Sequence, residues 1–506
     1  MFAQKAAHST PIDYNSFAFR QRCRASKLLI YFFMDPLLPK TKKELQKEFS
    51  VFFLLAAFLL SHFLFAYYSR YTADDYSLMA LIREKGVARF SVWFYMNHEG
   101  CFSTWVYQAL LCKSMLFFSK PLVFLLFFLL LSLFCLYKSF QALFFALTHR
   151  SERLYSLLFS VLVLAAFYMT TYGVSEAFYW CVGGVYLVFA SLFIYAFTTF
   201  LLSENKWYLS CCFLAFFLFG MSRLNYAFIA GALIGVFFIG RWVNLRRIEW
   251  KYVFALIFLV LGVLIYVVAP GNYIRRGSSG LPAMHTLVSD IKGIFLHFFY
   301  IKIKKIPVYL TFLLPAYFVG QSFSESVSAF YRNGKSMRNC LILLGLTMLL
   351  LVFVHSVIMA LASGANSHDR TILLLDLLFI GYGGAVLFHL GAAFPNFLRY
   401  KIFLTVCCIV SSFLLLYRAK IYQDAGHKQA MADDARTRQI QSALAKPARS
   451  HADTLFLAPL PTCVMLYDWD IMKLKKDDTG WGGLNNGLML FYQTPFKIDS
   501  GSAPVR

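Results

Sequence analysis

Long apolar runs recur along this chain from residue 51 to residue 417, separated by short polar and basic stretches. Most are long enough to cross a hydrocarbon core of about 30 Å, and only helices or closed barrels satisfy their backbone there. Hydrophobic residues make up 59% of the 506, charged residues only 14%, and the mean hydropathy is +0.61. That leaves too little polar surface for a water-soluble protein of this length. The chain therefore reads as an all-α polytopic membrane protein.

Spans are expected at 51–68, 121–147, 154–172, 182–202, 207–220, 226–240, 251–269, 306–320, 339–361, 371–391 and 402–417. These make about eleven transmembrane helices, with 103–118 set aside as an interfacial or re-entrant segment. The runs 207–220 and 226–240 are short, which suggests a broken pair. The organisation that follows is a basic N-terminal segment (1–49), a transmembrane body (50–417) and a small polar cap (418–506). No internal repeat is visible. Some fifty residues precede the first apolar run, so that run is expected to stay as a signal anchor.

A formal charge of +23 raises nucleic acid as a partner, but its distribution argues against one. Lys and Arg cluster between apolar runs, and no basic groove with interleaved aromatics for bases is present. The eleven cysteines lack metal or redox spacing, and Cys211-Cys212 and Cys407-Cys408 sit inside apolar runs. Cys101, Cys181 and Cys463 fall on the expected outer side, where a disulfide is chemically allowed.

Charge also sets orientation. Arg20, Arg22, Arg24, Lys27, Lys40, Lys42, Lys43 and Lys47 hold the N-terminus in the cytoplasm. With that parity the loops 149–153, 203–206, 241–251, 321–338 and 392–401 are cytoplasmic, and each carries Lys or Arg. The opposite loops are 69–120, 173–181, 221–225, 270–305 and 362–370, followed by the tail from 418, which places the C-terminus outside. Loop 270–305 breaks the rule, with Arg275, Arg276, Lys292, Lys302, Lys304 and Lys305 on the outer side. Membrane lipids with anionic phosphates are the natural partners of such residues, either as one bound lipid-linked phosphate or as headgroups met by an interfacial helix.

The outer loops hold nearly every residue with chemical promise. Thr72-Ala73-Asp74-Asp75-Tyr76 follows the first span directly. Paired carboxylates at a membrane surface are costly unless hydrated, paired or used. Either Asp74 or Asp75 would serve as general base toward an acceptor hydroxyl. The pair is also a candidate holder of a divalent cation, the one cofactor the sequence suggests; the plain alternative is a helix cap. Glu99 and Glu176 are further outer carboxylates, and His98 and His368 are acid–base candidates. Arg275, Arg276 and Arg370 offer guanidinium forks for phosphate, and Tyr179 and Trp180 offer rings for a sugar or anchors at the interface. Asp376 falls within a span and is expected to pair with a neighbouring helix. Arg223 and Asn225 fall between the two short spans and carry less weight.

Taken together these segments resemble the GT-C superfamily, multi-pass glycosyltransferases that use polyprenyl-phosphate sugars. More specifically they resemble a poorly characterised bacterial multi-pass group within it. The resemblance rests on Asp74-Asp75-Tyr76 after span one, Trp93-Phe94-Tyr95-Met96-Asn97-His98-Glu99-Gly100, Tyr179-Trp180 through Gly183-Gly184 to Tyr186, and Ala269-Pro270-Gly271-Asn272-Tyr273-Ile274-Arg275. Asn366-Ser367-His368-Asp369-Arg370 matches more loosely. The group continues its aromatic segment with Gly-Arg-Phe, whereas this chain has Gly100-Cys101-Phe102, so the Arg is missing or supplied elsewhere.

The resemblance implies a GT-C-like fold in a bacterial cytoplasmic membrane. It also implies transfer of a sugar from a polyprenyl-phosphate-linked donor to a hydroxyl of a cell-envelope glycan or lipid acceptor. Asp74 or Asp75 would be catalytic, with Tyr76, Glu99, Glu176, Tyr179, Trp180, Asn272, Arg275, Arg276, His368 and Arg370 lining the substrate site. A transporter or flippase of lipid-linked sugars, and a glycan polymerase or ligase, are the competing readings. The scheme depends on parity: one helix across 207–240 in place of two would move Pro270-Gly271-Asn272 and the later sites to the other side.

Overall fold

The computed structural model describes residues 42–148, 151–171, 174–276, 284–324, 334–363, 372–394, 400–445, 454–457, 460–461, 463, 465–466, 491–493 and 497–500. The helices in chain order are α1 (Lys42–Tyr68), α2 (Ala73–Asn97), α3 (Phe102–Met115), α4 (Leu122–Thr148), α5 (Arg153–Thr170), α6 (Val174–Phe178), α7 (Gly184–Leu202) and α8 (Lys206–Gly220). They continue as α9 (Leu224–Leu245), α10 (Trp250–Val267), α11 (Pro270–Arg276), α12 (Met284–Lys304), α13 (Ile306–Ser322), α14 (Gly334–Ser363), α15 (Leu373–Ala393) and α16 (Tyr400–Leu444). Two four-residue strands, β1 (Thr454–Leu457) and β2 (Lys497–Ser500), pair in parallel.

Among the described residues nine helices are long and apolar enough to cross a membrane. Each expected span has its helix, but α8 and α13, at 15 and 17 residues, fall short of a full crossing by length. The core of the bundle is built on α5, buried almost all round, and on the inner faces of α4, α7, α13 and α15. Exposed Phe, Leu, Ile and Val side chains cover the outside, as a lipid-facing surface requires.

Where apolar contact alone cannot select partners, close backbone approach does. A Cβ on Gly220 would stand 2.9 Å from the Cα of Gly262, so α8 and α10 touch backbone to backbone. Any larger side chain would push that pair apart.

Two stretches differ from expectation. Residues 69–102, part of the outer loop expected over 69–120, hold the 25-residue helix α2, which bends at Gly86 with φ of +71°. Only glycine adopts that conformation without strain. The helix α16 runs 45 residues, about 68 Å at 1.5 Å per residue, more than twice the hydrocarbon thickness. The polar tail from 418 therefore begins as a helical extension of the last span. Its Ala, Lys, Gln and Arg content favours helix strongly enough to carry the last span past the membrane.

Helix α16 runs parallel to α1. Ser61 Oγ donates to the Leu415 carbonyl at 3.1 Å. Further along, Arg70 grips Asp434 with two bonds of 2.6 and 2.7 Å. The chain breaks between α8 and α9 at 221–223, giving two helices rather than one, as the short runs suggested.

Candidate functional site

At the N-terminus of α2, Thr72 is the cap residue and Asp75 the third helical position, and the two form a reciprocal capping box. The Thr72 backbone N–H and hydroxyl both donate to Asp75 Oδ2, at 2.8 and 3.2 Å. The other oxygen, Oδ1, accepts the Val182 N–H at 3.3 Å. Asp75 is fully buried, and burial pushes its carboxyl up to about 7; the Thr72 donor pulls the other way and neighbouring Asp74 adds to the rise. So Asp75 starts the helix and ties it to the turn after α6. Asp74, one position earlier, is only partly buried.

This geometry does not fit a chelated divalent cation at the pair, because N–H and O–H donors already point at both Asp75 oxygens. Among the described residues no group of three or more His, Cys, Asp or Glu converges around a common point.

A second cluster joins segments far apart in sequence. Glu99, at the end of α2, pairs with Arg223 at 3.1 Å and accepts the Tyr266 hydroxyl at 3.2 Å. Arg223 also donates to the Tyr186 hydroxyl, with its guanidinium carbon 5.1 Å from that ring's centre. Beside it, the Gly100 N–H donates to Asn272 Oδ1 at 2.8 Å, and Asn272 Nδ2 donates to the Tyr266 carbonyl at 2.6 Å. Gly271 lies so close to α2 that a Cβ there would stand 2.6 Å from the His98 nitrogen and 2.8 Å from the Tyr95 carbonyl. The segments 93–100, 179–186 and 269–272 thus meet at one end of the bundle, with Arg223 among them.

The same end gathers further cations. Lys302 forms a buried ion pair with Asp376, which bears out the expected pairing of Asp376 with a neighbouring helix. Lys305 donates to the Thr170 carbonyl, and Arg418 donates to the Tyr168 carbonyl at 2.7 Å. Both cations sit on the last turn of α5, where the helix dipole favours them. From the far end of the chain, Phe491 and Tyr492 pack on Tyr76, with ring centres 5.0 and 6.0 Å away, and the Phe491 carbonyl accepts from Arg83. The opposite end of the bundle carries the Arg241–Glu249 pair and the Lys251 contact with the Leu201 carbonyl.

Several assignments change with this geometry. Tyr179 and Trp180 are 1% and 2% exposed, so they offer no face to a sugar and are not interfacial anchors. The Tyr179 hydroxyl donates to that of Tyr168 at 2.9 Å and its ring stacks on His62. Asn272 has both ends of its amide engaged within the fold, which makes it a clamp, and Glu99 is the counter-ion of Arg223. Glu176 lies on the short helix α6, partly buried. Arg275 and Arg276 form the end of α11, of which the backbone alone is described, and His368 and Arg370 lie outside the described residues. Cys101, Cys181 and Cys463 are buried and form no disulfide among the described residues, and burial holds the Cys101 and Cys181 thiols well above their ordinary value.

Arg223 is the residue whose importance sequence reasoning underrated. The available signal was a lone Arg in a short break between two apolar runs, a costly place for a charge without a partner. Comparison with family models, curated proteins and solved structures yields no match.

Proposed function

We propose that this chain is a GT-C-type glycosyltransferase, moving a sugar from a polyprenyl-phosphate-linked donor to an acceptor hydroxyl on a cell-envelope glycan or lipid. The observation that supports this reading is the meeting of four separate motif segments at one end of an apolar bundle: 72–76, 93–100, 179–186 and 269–272. That end faces outward if the basic loops at the other end are cytoplasmic.

In this scheme Asp74 is the base. Asp75 has both oxygens committed to the cap and to Val182, whereas Asp74 sits on the same turn with part of its surface open. Asp74 takes the proton from the acceptor hydroxyl as its oxygen attacks the anomeric carbon. The bond from that carbon to the phosphate oxygen breaks, and the lipid phosphate leaves with the electron pair. Attack opposite the leaving group inverts the anomeric centre. Arg275, Arg276 and Arg370 are the proposed partners of the departing phosphate. Arg223 pairs with Glu99, two positions before Cys101, where the resembling group carries Arg, and we assign it the missing guanidinium.

A transporter of lipid-linked sugars would place its charges near mid-membrane. The buried Asp376 lies in the first turn of α15 instead. The two readings separate in proteoliposomes loaded with a labelled polyprenyl-phosphate sugar and an acceptor. Transfer predicts label on the acceptor and free lipid phosphate; translocation of intact donor with no bond broken would refute it.

A further inference from the structure

Helix α12 is not among the nine helices apolar enough to cross a membrane, although it has 21 residues. One side is fixed to the protein: Ile294 packs with Met359 and Ala360 near the end of α14, with Leu287 and Ile291 beside them, and Lys302 is buried against Asp376. The other side is open. Met284, Val288, Lys292, Leu296, Tyr300 and Ile303 follow one another at intervals of three or four, and all are exposed. Such spacing puts them on a single stripe. Lys292 thus emerges between Val288 and Leu296, and the Lys304 amine lies over the Tyr300 ring at 4.1 Å. Asp290, partly exposed, is the acidic group within this stretch.

We propose that α12 lies at the membrane boundary and binds anionic phospholipids of the bilayer through Lys292 and Lys304, its apolar stripe inserted among their acyl chains. An apolar helical stripe studded with amines is the pattern of an in-plane membrane helix, and it accounts for Lys292 and Lys304 being placed against the charge rule. Twelve residues separate the two lysines, about 18 Å along a helix, so no single phosphate joins them. They meet separate headgroups, which favours the bilayer's own lipids over one carrier phosphate. This assignment is independent of the transfer reaction.

The test places a photo-crosslinking residue at Leu296 in the full chain, reconstituted in vesicles of equimolar phosphatidylglycerol and phosphatidylcholine. A second arm adds an isoprenoid phosphate in an amount equal to the phosphatidylglycerol. Adducts are identified by mass spectrometry, and the same measurement is made with Lys292→Gln/Lys304→Gln, whose exposed side chains are not needed for folding. Phosphatidylglycerol adducts should exceed phosphatidylcholine adducts roughly tenfold, and the ratio should fall to near one in the double variant. Equal adducts in the unsubstituted background, an unchanged ratio in the double variant, preferential capture of the isoprenoid phosphate, or no lipid adduct would each overturn the proposal.

Discussion

Glu99 and Arg223, 124 positions apart in sequence, meet at 3.1 Å at the end of the bundle where the motif segments gather. Their side chains are only 13% and 18% exposed, so each charge relies mainly on the other, with the Tyr266 and Tyr186 hydroxyls as further partners. Removing one partner leaves the other uncompensated, which typically costs about 3 kcal/mol. Glu99→Gln should therefore lower the unfolding midpoint in detergent markedly. The double variant Glu99→Gln/Arg223→Met should recover a good part of the loss. A fully additive double variant would show that the pair is not coupled.

The approach of Gly271 to α2 makes a second prediction, with an internal control. Gly271→Ala puts a methyl against the backbone at His98, Tyr95 and Glu99, which cannot yield as a flexible side chain does. A loss of about 1–3 kcal/mol is expected from such overpacking. Gly293→Ala, on α12 with nothing within 4 Å of the new atom, should be neutral or stabilising by about 1 kcal/mol. Equal midpoints for the two variants would contradict the tight contact between α11 and α2.

Asp75 should show itself in the pH dependence of stability. Its folded-state value, pushed up to about 7, lies above the ordinary 3.8, so the folded protein holds this proton more tightly than the unfolded chain. The stability it contributes is full below about pH 4 and is lost as the pH rises through about 7. Asp75→Asn removes that titration. Relative to the unsubstituted protein, the variant should gain in midpoint between pH 5 and pH 8. A difference that does not change with pH would mean that Asp75 is not a buried, titrating carboxyl.

Sidedness is open to direct labelling. Glu84, exposed on α2, and Glu204, exposed between α7 and α8, belong to opposite ends of the bundle. Glu84→Cys should react with an impermeant thiol reagent on intact cells, and Glu204→Cys only after permeabilisation. The reverse pattern would invert the orientation drawn from the charged loops.

Much of this fold was legible because lipid imposes a simple rule: a chain that must satisfy its backbone internally declares each helix by an apolar run. Even the break at 221–223 could be read from two short runs flanking Ser222 and Arg223. The length of α16 was missed because its helix former-rich second half lacks the apolar signal that marked the first. Asp75 was read as a base, a metal ligand or a helix cap, and the cap is the reading its geometry carries, with Thr72-x-x-Asp75 at capping-box spacing. Contacts such as Glu99–Arg223 and Gly100–Asn272 join residues more than a hundred positions apart, and no local pattern specifies them. Hence the segments that matter were recognisable singly, whereas the division of labour within them was not. Burial packs Tyr179 and Trp180 inside the fold, hydrogen bonds engage both ends of the Asn272 amide, and Asp74 is the partly exposed member of the acidic pair.

That division of labour supplies the most direct test. Asp74→Asn and Asp75→Asn are each assayed for sugar transfer from a polyprenyl-phosphate donor, alongside their unfolding midpoints. If Asp74 is the base, Asp74→Asn remains folded and loses transfer about a hundredfold or more. Asp75→Asn shifts the midpoint and retains measurable transfer. Full transfer by Asp74→Asn would contradict the account at its centre.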